Sequence, residues 1–228
     1  MKIKCIIPAR LDSSRFPKKV LTKINNKNLL QHCIDNAKSS KIINEVIVAT
    51  PDKQIFDEYK PSVMTENHST CTGRVCEVSN KIESDYIINL QSDEPCITGS
   101  IIDKMIAKSK INTMTQACYP LTKKEITNPH IVKAIVNNNE IIYLTRKVDT
   151  EIINSKNVFG ISGIYMYDKK IISNFYSYDL ELVNFWKGLD TLAFIGKIKV
   201  LPFIIKERTP AVDIQEDIKI VEDYLDRR

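Results

Sequence analysis

Glycine is scarce in this chain, with six in 228 residues. That leaves little room for a flexible Gly-rich linker, and neither G-x-G-x-x-G nor G-x-x-x-x-G-K-[ST] occurs, which excludes a dinucleotide fingerprint and a P-loop. The six cysteines, at positions 5, 33, 71, 76, 96 and 118, include no C-x-x-C pair, and the three histidines, at 32, 68 and 130, fall at no ligand spacing beside them. Neither a disulfide framework nor a zinc site follows, so the cysteines read as small core hydrophobes. No apolar run approaches membrane-spanning length, and the first one ends at Pro8-Ala9-Arg10, too soon for a signal-peptide core; the expectation is a cytosolic chain. Long basic blocks are also missing, and the net charge of +5 is spread along the chain. Neither a nucleic-acid nor a membrane partner is expected, whereas an anionic small molecule fits.

With 43% hydrophobic and 27% charged residues, the composition is that of a folded domain. A chain of this length buries roughly 70% of the surface its unfolded form exposes, which suffices without staples. No repeat or linker divides it, so residues 1–228 are read as one domain. Ile3–Pro8 reads as a strand, Asn28–Ser39 as a helix with Leu29, Leu30, Cys33, Ile34 and Ala37 on one face, and Glu45–Thr50 as a strand. A helix over Gly73–Ile82 precedes the near-continuous apolar strand Asp85–Gln91, which suits a buried parallel strand. The second half changes character. Ile131–Val136 and Glu140–Thr145 flank Asn137-Asn138-Asn139 as a β-hairpin, Val158–Tyr167 and Lys197–Ile205 read as strands, two helical stretches lie between Lys169 and Ala193, and Asp213–Arg228 reads as the closing helix. The fold class is α/β: a three-layer, doubly wound domain with a mixed, mainly parallel sheet and a hairpin in its second half.

Three segments carry chemistry. Arg10-Leu11-Asp12-Ser13-Ser14-Arg15-Phe16-Pro17-Lys18-Lys19 follows the first strand, where an open α/β sheet places its ligand crevice. Its guanidinium forks, ammonium groups and hydroxyls suit phosphate oxygens; by composition alone it is also an ordinary solvated turn. Gln91-Ser92-Asp93-Glu94-Pro95 follows the most buried strand and suits a hard cation such as Mg²⁺ held over phosphates, or else a turn that caps a helix beginning near Ser100. Asp213, in Val212-Asp213-Ile214-Gln215-Glu216-Asp217, either caps the last helix or joins Asp93 in a two-carboxylate metal site. His68 reads as a partly exposed loop histidine, His130 as structural, and Trp186 as a helix core anchor.

Taken together and in order, these segments resemble the 3-deoxy-manno-octulosonate (Kdo) cytidylyltransferases nearly end to end. The family's I-P-A-R-x-x-S-x-R-x-P-x-K is similar to Ile7-Pro8-Ala9-Arg10 through Lys19, its V-Q-G-D-E-P to Leu90 through Pro95, and its V-D-T-P-E-D to Val212 through Asp217. Asn128-Pro129 with Val132-Lys133, Tyr143-Leu144-Thr145-Arg146 and Gly163-Ile164-Tyr165 extend the match. The resemblance implies a homodimeric enzyme that joins CTP to an acidic eight-carbon sugar and releases pyrophosphate. It implies that Ala9, Arg10, Ser14, Arg15, Lys19, Thr72 and Arg74 hold the nucleotide, that Asp93 and Asp213 hold Mg²⁺, and that Gln91, Arg146 and Tyr165 face the sugar, with Arg10, Lys19, Asp93 and Asp213 central to turnover.

The chain also departs from the family pattern. D-H-x-S-G-T-E-R becomes Asn67-His68-Ser69-Thr70-Cys71-Thr72-Gly73-Arg74; R-H-x-G-x-Y becomes Gly160 through Tyr165, with Ile161 for histidine; L-E-Q-L-R becomes Trp186-Lys187-Gly188-Leu189-Asp190. A pocket built for one hydroxyl pattern rejects another strongly, so a different nonulosonic or modified octulosonic acid remains an alternative substrate. A nucleotide-binding protein without turnover is the alternative from another class. A glycosyltransferase would call for an Asp-x-Asp pair, and Gln91-Ser92-Asp93 supplies one acid.

Overall fold

The computed structural model describes residues 1–13, 15–148, 156–185 and 189–227; Ser14, Trp186, Lys187 and Gly188 lie outside them. β-Branched and apolar runs make β1 (Ile3–Pro8), and a tight Asn25-Asn26 turn, both residues at positive φ, joins the short strands β2 (Lys23–Ile24) and β3 (Lys27–Asn28). Next come α1 (Leu29–Lys38), β4 (Glu45–Thr50), α2 (Lys53–Glu58), β5 (Ser62–Met64), α3 (Cys71–Lys81), β6 (Tyr86–Leu90), α4 (Gly99–Lys108), β7 (Thr113–Pro120) and α5 (Lys123–Thr127). The second half holds β8 (Lys133–Asn137), β9 (Glu140–Thr145), β10 (Val158–Asp168), helices Lys169–Ser173 and Glu181–Phe185, β11 (Lys199–Ile204) and the closing helix Asp217–Leu225.

The main sheet runs β11-β7-β10-β6-β1-β4-β5, and β8 pairs with both β10 and β9. β10 is antiparallel to β6 and β7, while the neighbouring pairs β1–β4, β1–β6, β4–β5 and β7–β11 are parallel. Six of the seven strands along that path therefore share one direction, as expected of a mixed, mainly parallel sheet.

Alternation along β1 sends Ile3, Cys5 and Ile7 to one face and Ile6 to the other, so the sheet has two cores. The first face is covered by α1, α2 and α4 through Leu30, Cys33, Ile34, Ile55, Ile102 and Met105. The second is covered by α3 and the segments after β10, through Val75, Val78, Ile171, Ile172, Phe175 and Phe194. Three layers result. Cys5, Cys33, Cys76, Cys96 and Cys118 are buried and Cys71 is half-buried.

Three boundaries differ from the sequence expectation for physical reasons. β7 carries Thr115 and Gln116 into the middle of the sheet, where Thr191 Oγ1 donates to Gln116 Oε1 at 2.8 Å; a polar pair met only in space hid the strand. The acidic turn after β6 caps no helix, because Thr98 Oγ1 accepts from Ile101 N at the start of α4. The closing helix starts at Asp217 rather than Asp213: Asp217 Oδ2 accepts from the backbone of Asp213 and Ile214 and holds that stretch as a turn.

Candidate active site

β1 connects onward to β4 on one side and is flanked by β6 on the other, so the chain reverses its winding between β1 and β6. Ligand crevices in open α/β sheets form at the carboxyl ends of strands at such a switch point. Here the loop 10–19 leaves β1 and the segment 91–95 leaves β6, and the two meet. Lys19 Nζ lies 2.9 Å from Asp93 Oδ2 and donates to the Val212 carbonyl at 2.7 Å; Val212 N donates to Asp93 O at 2.9 Å. Lys19, Asp93 and the segment before the closing helix thus form one knot across three chain regions, buried at its lysine end.

The loop is built to deliver Lys19. Leu11 N donates to Asp52 Oδ2, Lys18 N reaches back to Leu11 O, and Lys18 takes a left-handed conformation (φ 56°) that turns the chain into the short helical turn at Lys19–Leu21. Beyond the knot, Arg15 Nη2 pairs with Asp213 Oδ1 at 2.9 Å.

Two cavities open over this seam. The larger, about 720 Å³, is lined by Arg10, Asp12, Ser13, Arg15, Lys19, the amino end of α3 (Ser69, Thr70, Cys71), Arg74, Gln91, Asp93 and Asp190. Its walls carry four cationic side chains, and a helix amino terminus adds positive partial charge. Arg74 is 2% exposed and makes no ion pair among the described residues; burial, before the nearby Arg10, lowers its pKa. A buried guanidinium without a carboxylate is costly unless an anionic ligand completes it. The smaller cavity, about 290 Å³, is lined by Tyr119, His130, Arg146, Ile161, Ser162, Gly163, Tyr165, Arg208, Thr209 and Asp213, and it shares Arg15, Gln91 and Asp93 with the first.

Most residues picked out in the sequence converge here. Gln91 Nε2 donates to Tyr165 OH at 3.2 Å. Arg146 Nη1 donates to His130 O at 3.0 Å, and its backbone is fixed by the fully buried Lys133, whose Nζ donates to Arg146 O at 2.9 Å and to Asn128 O. Ala9 and Thr72 sit behind the wall instead. Ala9 is 1% exposed with its N–H on Ala49 O, and Thr72 is 2% exposed with its N–H on Asp190 Oδ2. His68 is held by both ring nitrogens, to Tyr176 OH at 2.5 Å and Glu77 Oε2 at 2.7 Å, and lines neither cavity. That pairing also explains Gly73, since a Cβ there would stand 2.2 Å from Tyr176 OH.

Sequence reasoning gave no role to Glu94 and Asp190, although both lie in segments it quoted, and passed over Tyr119, Arg208 and Thr209, which come from separate segments with no local pattern. Glu94 Oε1 accepts from Ser162 Oγ at 3.1 Å and from Gly163 N. Burial, reinforced by neighbouring Asp93, raises its pKa to about 7. Burial likewise pushes up the pKa of Asp190 and, further, that of Tyr165.

The chain matches the sequence model of the cytidylyltransferase family over residues 4–190. It belongs to that family. As a cytidylyltransferase-family member it is 31% identical over 247 residues to the 3-deoxy-manno-octulosonate cytidylyltransferase of Thermodesulfovibrio yellowstonii, with 97% of each chain covered. It is 29% identical to the Chlamydia pneumoniae protein of the same name, covering 96% of this chain and 92% of that one. The solved structure of a CMP:2-keto-3-deoxy-manno-octonic acid synthetase complexed with CTP superposes with a TM-score of 0.90 at 26% identity, covering 100% of this chain and 99% of that one. The cytidylyltransferase fold and the two-cavity site therefore coincide in one chain.

Proposed function

We propose that this enzyme transfers the cytidylyl group of CTP to the anomeric hydroxyl of an acidic 3-deoxy sugar, 3-deoxy-manno-octulosonate or a close relative, and releases pyrophosphate. The observation that carries the reading is the pair of cavities joined at Arg15, Gln91 and Asp93. The larger, cationic one takes the nucleotide, the smaller one takes the acid, and the α-phosphate lies at the seam.

Attack of a hydroxyl on a phosphate needs alignment and charge neutralisation rather than covalent catalysis by the protein. Arg10, Arg15, Lys19 and Arg74 supply cations along the triphosphate, and the fixed Lys19 ammonium stands where charge develops on the departing pyrophosphate. Ser14, outside the described residues, belongs to the same loop. Arg146 offsets the sugar carboxylate, which otherwise repels the nucleotide, and Gln91 on Tyr165 orients the acceptor.

Asp93 and Asp213 fit Mg²⁺. Both are hard oxygen donors beside the seam, and this ion commonly uses one or two carboxylates with substrate phosphates completing its shell. When bound, the ion supplies charge neutralisation at the α-phosphate and lowers the acceptor hydroxyl's pKa. Lys19 and Arg15, paired with these two carboxylates, would flank the ion and keep their cationic groups beside the phosphates.

Ile161 in the wall of the smaller cavity favours keeping a second acid open, because it offers no hydrogen bond where the family pattern has histidine. The reading extends to a cytosolic homodimer, to be checked by light scattering coupled to size exclusion. Pyrophosphate release is measured with CTP, UTP or ATP, Mg²⁺ and a panel of acidic sugars. Release with CTP, metal and one acid together supports the reading; CTP binding with no release on any acid favours a protein that binds without turnover.

A further inference from the structure

The smaller cavity has a corner that nucleotidyl transfer leaves unused. The Ile161–Gly163 stretch of β10 lines it, and the preceding Gly160 pairs with Tyr119 of β7 on one side and Lys133 of β8 on the other. Arg146, just beyond β9, and Arg208 and Thr209, in the loop after β11, line the same cavity.

Arg208 is fixed in place. Its Nη1 donates to Glu125 Oε1 at 3.3 Å, and its guanidinium carbon lies 5.8 Å from the centre of the Tyr119 ring. Glu125 is itself locked in a capping box with Thr122. The Tyr119 ring lies across β10 because Gly160 has no side chain; a Cβ there would come within 2.3 Å of it. A free surface arginine keeps its rotamer entropy, whereas this one is held between a carboxylate and an aromatic ring while 47% exposed at a cavity wall.

Two buried oxygens of the same wall, Glu94 Oε2 and Thr209 Oγ1, have no hydrogen-bond partner among the described residues. Buried polar atoms are seldom left so, and with Ser162 they give this corner one acceptor and two hydroxyls beside a guanidinium. That chemistry suits a polyol.

We propose that Arg208, with Ser162 and Thr209, forms the subsite for the hydroxyl-bearing tail of the acidic sugar, at the end away from Arg146, and so determines which acid is activated. The proposal rests on the nucleotidyl-transfer reading above. Arg208 donates to tail oxygens, Thr209 and Ser162 donate or accept, and the Arg146 end takes the carboxylate.

The test compares the parent enzyme with Arg208→Ala, Arg208→Lys and Thr209→Val, using 3-deoxy-manno-octulosonate and a six-carbon 3-deoxy-2-keto acid that lacks the tail. In Arg208→Ala the KM for the eight-carbon acid rises about 10- to 100-fold, as for lost charge-assisted hydrogen bonds, while the KM for CTP and the unfolding midpoint stay at parent values. The truncated acid, slower in the parent, shows no further loss. Arg208→Lys recovers part of the affinity only, because an ammonium lacks the planar fork, and Thr209→Val raises the same KM more weakly. An eight-carbon KM within twofold of the parent in Arg208→Ala, or equal losses on both acids, overturns the proposal. A parent enzyme inert on every acid overturns the nucleotidyl-transfer reading and this subsite with it, and is seen before any variant is made.

Discussion

Lys19 and Asp93, 74 residues apart in sequence, are joined by a 2.9 Å ion pair that is nearly closed to solvent at its lysine end. The lysine makes a second bond, to the Val212 carbonyl, next to Asp213. One ammonium group thereby ties the loop after β1, the turn after β6 and the approach to the closing helix, which are the three segments that carry charge at the seam. Asp93→Asn keeps the shape and removes the charge. It lowers kcat by about 10²- to 10³-fold, the scale for losing one electrostatic element of a transition state, while CTP still binds; steady-state kinetics with calorimetric titration of CTP separates the two effects. A kcat within threefold of the parent contradicts the role given to Asp93.

Arg15 and Asp213 are different, because their side chains are 62% and 52% exposed. Exposed pairs contribute about 0–1 kcal/mol, so Arg15→Ala leaves the urea midpoint near the parent value. Its catalytic effect is large all the same, a fall in kcat/KM of about 10- to 100-fold if the guanidinium holds a phosphate through charge-assisted bonds. Loss of stability without loss of kcat/KM reverses the assignment. Chemical denaturation and kinetics on one preparation decide it.

Much of this was legible in the chain itself, and the reason lies in local pattern. Ile3–Pro8 and Glu45–Thr50 fall where the apolar runs put them, and the cationic loop and Asp93 stand at strand ends where α/β sheets bind ligands. What stayed hidden depends on distant partners. Gln116 looks out of place in a strand until Thr191 is seen beside it. Arg208 looks like one more surface cation until Tyr119 and Glu125 fix it. Asp213 reads equally as a helix cap or a metal ligand, because the turn that removes it from the helix is made by Asp217, four residues on. Gly73 reads as a lost carboxylate until the Tyr176 hydroxyl is found filling its space.

Glu77 gives the fold a pH dependence of definite sign. Burial alone raises its pKa, but hydrogen bonds from Lys81, His68 and the Glu66 amide outweigh that and hold it at about 2, against an ordinary 4.5. A carboxylate depressed on folding stabilises above its unfolded pKa and loses that contribution as pH falls toward the folded one. Glu77→Gln is therefore less stable than the parent at neutral pH by about 1–2 kcal/mol, and the gap narrows between pH 4.5 and 2. Urea unfolding of both proteins at neutral and acid pH measures it; a gap that stays constant rules the mechanism out.

Gly160 links packing to specificity. Gly160→Ala places a methyl group 2.3 Å from the Tyr119 ring, which must move. Overpacking of this kind destabilises by about 1–3 kcal/mol, and displacing the ring also moves Arg208. The variant is expected to unfold earlier and to have a raised KM for the acid with an unchanged KM for CTP. Equal effects on both substrates would place the damage elsewhere.

The most direct test of nucleotidyl transfer at the seam is a phosphorus NMR time course of CTP with Mg²⁺ and 3-deoxy-manno-octulosonate. The account predicts that the three CTP resonances give way to one phosphodiester and to pyrophosphate in equal amounts, with no reaction when the acid is left out. Appearance of CDP with a sugar phosphate, meaning transfer of the γ-phosphate instead, or CTP unchanged beside every acid of the panel, would contradict it.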